Sequence, residues 1–139
     1  ACHAEVYQWA AELHQQLPHL SRAQARVLAL WSMGMVLARS CAVTAVSGVL
    51  GAVLSQPPNT LRQRLREGCY AAADKRGARR QELAVAGCFA PLLCWVLSRG
   101  MGRSWRWMHT LGQRFTVLCV SAVYRGCAIP VAWRVLPAT

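Results

Sequence analysis

The chain has 139 residues, room for one domain, or for one domain and a piece of another. Sixteen basic residues, fifteen of them Arg, face five acidic ones, so the net charge of +11 predicts attraction to polyanions, nucleic acid or anionic lipid, but says nothing of fold. Seven Cys at 2, 41, 69, 88, 94, 119 and 127 form no C-x-x-C and follow no secretory leader, so they read as reduced core thiols of a cytoplasmic protein, and a disulfide framework is excluded.

In chain order, residues 5–16 carry Val6, Trp9, Leu13 and, just beyond, Leu17 at helical spacing, and Pro18 stops the helix. Ser21 is the expected N-cap of a second helix, which runs through Val27, Leu30, Trp31 and Met35 to Arg39. Residues 40–54 are apolar on all sides and read as a buried helix, with Gly48 and Gly51 allowing close approach. Ser55-Gln56-Pro57-Pro58-Asn59 reads as a turn. Asn59 or Thr60 is expected to cap the next helix, with Leu61 and Leu65 on one face and Arg62, Arg64 and Arg66 elsewhere. Residues 75–80 form a basic loop, and 82–98 a further apolar helix bent or restarted at Pro91. The fold class is therefore mainly α, an N-terminal helical bundle followed by a β-hairpin.

A buried helix, a short turn and a helix exposing Arg62, Gln63 and Arg66 suit a helix-turn-helix, whose second helix enters the major groove. Arg bonds phosphate or guanine, and Gln63 suits adenine, while Arg76, Arg79 and Arg80 would add phosphate contacts that position without specifying. The plainer alternative is an amphipathic helix with a solvated basic face. Arg39 splits residues 27–54 into apolar runs of 12 and 15, each short of the ~20 that a bilayer requires, so a small basic membrane protein stands only as a rival reading.

Four His are scattered, and Cys2 beside His3 lacks zinc-ligand spacing. Gly100-Met101-Gly102 lacks the third Gly of a phosphate loop. Trp31, Trp95 and Trp133 sit in apolar periodic settings and read as core, whereas Trp105 and Trp107, beside Arg103 and Arg106, could stack on bases.

Residues 111–138, LGQRFTVLCVSAVYRGCAIPVAWRVLPA, hold two β-branched-rich apolar runs around Tyr124-Arg125-Gly126, a hairpin signal. Ile129, Val131, Trp133 and Val135 alternate with Ala128, Pro130, Ala132 and Arg134, and the first group is the expected buried face.

This wording resembles the hairpin after the first catalytic strand of bacterial insertion-sequence transposases of the DDE type, and residues 21–98 resemble the same proteins more weakly. The resemblance implies a ribonuclease-H-like domain in which two Asp and one Glu hold divalent metal, magnesium by expectation, and a preceding region that recognises element ends. It implies the first Asp on the strand before the hairpin, in a stretch like Leu-Ala-Leu-Asp-Ala-Thr. Here that place reads Trp105-Arg106-Trp107-Met108-His109-Thr110. Trp and Met have single codons, so the triplets are nearly fixed as TGG-CGN-TGG-ATG. One base back they read NTG-GCG-NTG-GAT, a Leu-like residue, Ala, a Leu-like residue and Asp. An upstream insertion or deletion near 99–102, undone by a second near His109, would leave such a scrambled patch, and Trp105 and Trp107 would then be fortuitous.

No Asp or Glu follows Glu82, and the chain reaches Thr139 before a second Asp or a Glu of the family pattern. Glu67, Asp74 and Glu82 match no motif and read as surface residues paired with Arg. The expectation is a truncated, catalytically inactive transposase remnant that retains affinity for DNA, with no metal of its own and no enzyme activity. Its organisation would be a helical DNA-binding region over 1–98, an irregular junction over 99–110 and an incomplete ribonuclease-H-like domain over 111–139. The alternative is a small repressor of the parent element; a homo-oligomer is open in either case.

Overall fold

The computed structural model describes residues 2–75, 81–98, 105–111, 115–124 and 127–137, with backbone alone at 2, 105–111, 124 and 127. The protein is a helical bundle followed by a small antiparallel sheet, and it divides into two units, Ala1–Ala84 and Val85–Thr139. The boundary lies before the last helix, so residues 85–98 group with the strands and not with the preceding helices.

In the first unit α1 (Cys2–Gln16), α2 (Arg22–Ala38), α3 (Val43–Leu54) and α4 (Pro58–Gly68) surround a core of Val6, Leu30, Val46, Leu50, Leu54, Leu61 and Leu65. Trp31 lies against this core half-buried. Helix α2 starts as the sequence indicates. Ser21 accepts from Gln24 N at 3.3 Å, and the Gln24 side chain accepts from Ser21 N at 2.8 Å, a reciprocal capping box. It ends at Arg39, whose φ of 48° is left-handed and turns the chain sharply into α3.

Helix α3 is not buried all round. Val46, Ser47, Leu50, Gly51 and Leu54 form its inner face, while Thr44, Ala45, Gly48 and Ala52 are exposed. The sequence offers no polar stripe to mark the outer side, so small residues occupy it instead. A Cβ on Gly48 would meet nothing within 4 Å, whereas one on Gly51 would come within 2.8 Å of Pro58 Cγ. Among the described glycines the closest approach is at Gly34 of α2, where a Cβ would lie 2.6 Å from Val46 Cγ1. No single helix among the described residues is long and apolar enough to cross a membrane, and α2 and α3 together are bent by 94° at the break between them.

In the second unit α5 (Val85–Ser98) runs through Pro91 as one helix. The strands β1 (Trp105–Leu111), β2 (Phe115–Tyr124) and β3 (Cys127–Pro137) pair in the order β1-β2-β3, all antiparallel. A strand thus occupies residues 105–110, half of the stretch 99–110 expected as an irregular junction, and residues 99–104 lie outside the described residues. Val96 of α5 packs with Ala122 and Val131, and Phe89 meets Trp133 edge to face at 5.0 Å.

The buried face of β3 differs from strict alternation. Val120 pairs with Ala132 but Ser121 pairs with Pro130, so Val131 is an extra residue and the side-chain faces switch there. Val131 is buried and Ile129 half-buried, yet Trp133 is 40% and Val135 59% exposed. Pro130 is tolerated because it stands at this bulge on an edge strand. Residues 125 and 126 of the expected turn lie outside the described residues.

The five cysteines whose side chains are described are not core residues. Cys41, Cys69 and Cys94 are exposed, Cys88 and Cys119 are half-buried, and none of these five is in a disulfide. Cys41 precedes α3, Cys69 follows the last turn of α4, and Cys94 lies on the exposed side of α5.

Candidate nucleic-acid interface

Helix α4 is strongly two-sided. Leu61 and Leu65, one turn apart, are fully buried, and their burial stabilises the docked helix by about 3–6 kcal/mol in all. The opposite side carries Asn59, Arg62, Gln63 and Arg66, all exposed. Their spacing, i, i+3, i+4 and i+7, makes one stripe along the helix. The apolar pair fixes the rotation of the helix about its axis, so this stripe faces solvent.

The helix begins differently from the expectation. Its N-cap is Pro57, with no side-chain cap bond, and Pro58 opens the first turn, so Asn59 and Thr60 are helical residues and not caps. Proline in the first turn loses nothing, because the amides there have no partner within the helix. Asn59 is thereby released to the exposed stripe. The connection from α3 is only Ser55-Gln56-Pro57, with Ser55 left-handed at φ 51° and Gln56 N donating to the Gly51 carbonyl at 3.1 Å. A short, hydrogen-bonded turn with the Pro58 ring against Gly51 holds α4 on α3.

Gln63 donates to the Glu67 carboxylate at 2.7 Å in an exposed i,i+4 pair. Glu67 is therefore held by an amide, not by the Arg partner expected from the sequence. Reading a base with Gln63 requires this bond to open, and in solvent the exchange costs little. Arg66 in the last turn is favoured by the helix dipole. Arg64 behaves differently from Arg62 and Arg66. It is half-buried and lines a cleft of about 530 Å³ on the flank of α4.

Of the six residues named from sequence, the structure brings Arg62, Gln63 and Arg66 onto one face. Arg76, Arg79 and Arg80 lie outside the described residues. Asn59 was missed as a face residue because its side chain suits a cap; its spacing from Arg62, Gln63 and Arg66 was the available signal. Among the described residues no group of three or more His, Cys, Asp or Glu is placed to hold a metal ion. His3 and His14 instead bond main-chain carbonyls, of Leu54 at 3.0 Å and of Leu20 at 2.9 Å. In comparisons with protein families, curated proteins and solved structures, nothing matches this chain.

Proposed function

We propose that this protein is a DNA-binding remnant of an insertion-sequence transposase, inactive in DNA cleavage and joining as this 139-residue chain, which docks α4 on duplex DNA. The observation that carries the reading is the exposed stripe of Asn59, Arg62, Gln63 and Arg66 on a helix whose other side is anchored by Leu61 and Leu65. Arg62 and Arg66 bond phosphate or guanine, and Asn59 and Gln63 carry the paired donor and acceptor that suit adenine. The +11 net charge adds a favourable, salt-dependent term to any encounter with nucleic acid.

The transposase part of the reading rests on the wording of residues 111–138. A strand at Trp105–Leu111, paired with β2, is consistent with it, since the resemblance puts the first catalytic strand there. Two-metal phosphoryl transfer needs oxygen ligands at fixed geometry, and residues 83–139 contain no Asp or Glu. A strand that offers Trp, Arg, Met and His where the family pattern has Asp lacks the charge to retain magnesium. A repressor of the parent element would use the same face of α4, and the two roles separate by whether binding to element ends blocks transposition in trans.

Fluorescence anisotropy with a labelled duplex, read across a salt series, tests the proposal. The wild-type chain is expected to bind with a steep salt dependence. Substituting Arg62 and Arg66 together by Ala lowers affinity and reduces the log–log salt slope by about 2, one unit for each phosphate no longer neutralised. Unchanged affinity and slope in the double variant, with its helical circular dichroism intact, rules out α4 as the docking helix. Metal-dependent cutting of oligonucleotides by the purified chain rules out the inactive assignment.

A further inference from the structure

The cleft beside Arg64 lies between α2, the C-terminal half of α4 and the residues Lys75, Gln81 and Leu83, all within the first unit. Its volume of about 530 Å³ falls in the range of small-molecule sites. Val27, Trp31 and Leu83, each half-buried, supply an apolar floor. The walls carry two cations, Arg64 and Lys75, and one anion, Glu67.

These three charges are not equivalent. Glu67 accepts the Gln63 amide, and Lys75 donates one proton to the Gln81 carbonyl at 2.6 Å, which leaves two of an ammonium's three donors. Arg64 is half-buried and, among the described residues, has no hydrogen-bond or ion-pair partner. A planar anion that pairs with this guanidinium forms a charge-assisted, bidentate bond that water does not match. An apolar floor beside an always-charged fork with no partner among the described residues is the pattern that recognises an amphipathic acid.

We propose that this cleft binds a small carboxylic acid with an aromatic or branched apolar body, its carboxylate on the Arg64 guanidinium and its body against Val27 and Trp31. Lys75 contributes positive potential at the mouth. Arg64 is on the flank of α4, off the stripe of Asn59, Arg62, Gln63 and Arg66, so an acid and a duplex occupy different surfaces of one helix. The inference stands independently of the DNA reading.

Isothermal titration of the full chain with 4-phenylbutyrate, and with the equally sized neutral 4-phenylbutanamide, tests it. The acid is expected to bind saturably, and the amide about tenfold or more weaker, since the neutral group forms no charge-assisted pair. Arg64→Gln should bring the acid down to the level of the amide, while Arg64→Lys retains part of the difference. Equal binding of acid and amide to the wild-type chain, or no saturable binding of the acid, overturns the proposal whether or not the variants fold. A folded Arg64→Gln chain that still prefers the acid also overturns it.

Discussion

Gly34→Ala probes a close approach of α2 and α3 in the first unit. The new Cβ would stand 2.6 Å from Val46 Cγ1, 2.9 Å from Leu50 Cδ1 and 3.0 Å from Leu50 Cγ. Favourable carbon contacts begin near ~3.5 Å, so α2 and α3 must separate, or the two side chains must move, by roughly 1 Å. Replacing a mid-helix Gly by Ala returns about 1 kcal/mol of helix propensity. Overpacking a closed core typically costs about 1–3 kcal/mol, and two side chains are struck at once, so the upper part of that range applies. The expected net loss is about 1–2 kcal/mol. Val46→Ala alone costs about 2 kcal/mol by removing fully buried methyl groups. In the Val46→Ala background the nearest clash is gone, Leu50 can shift into the space left by the Val46 methyls, and Gly34→Ala becomes close to neutral. Urea denaturation of the four proteins, followed by far-ultraviolet circular dichroism, should give a coupling of about 1–2 kcal/mol with unchanged m-values. Additivity within about 0.5 kcal/mol, or a single Gly34→Ala that gains its full propensity, would falsify so close an approach of α2 and α3.

Ser21→Ala removes the acceptor for Gln24 N and is expected to cost about 1 kcal/mol, with Ser21→Asp largely restoring the midpoint in the same urea assay. Burial pushes the Cys88 thiol above its ordinary pKa. The folded state therefore prefers the neutral thiol, so the contribution is fully present below the unfolded-state pKa and is lost as pH rises through the folded one. Stability measured across the alkaline range should fall more steeply in the wild-type chain than in Cys88→Ser, and parallel curves would show that this thiol does not titrate with folding.

Helix existence was legible from local signals of known physical origin. The Ser21-x-x-Gln24 box, the period of Val6, Leu13 and Leu17, and the Leu61/Leu65 pair each act within a turn or two of chain, so α1, α2 and α4 follow from neighbours in sequence. The candidate interface was partly legible for the same reason. Once Leu61 and Leu65 face inward, Arg62, Gln63 and Arg66 must face out. Asn59 was misplaced because a cap and a first-turn residue look alike until the two prolines are seen to open the helix.

What tertiary structure alone decided lies where one segment meets another. Which side of the uniformly apolar α3 is buried depends on Gly34 and α2 pressing against Val46 and Leu50. Whether Val131 or Val135 is covered depends on a bulge set by pairing with β2, and a single extra residue reverses the faces that alternation assigns. Arg64 differs from Arg62 and Arg66 only because α2 and Lys75 wall a cleft on its side of the helix. Local sequence determines the conformation and polarity of each segment, since those energies come from near neighbours. Burial, register and clefts come from packing between segments distant in the chain, so they emerge only when the pieces are assembled.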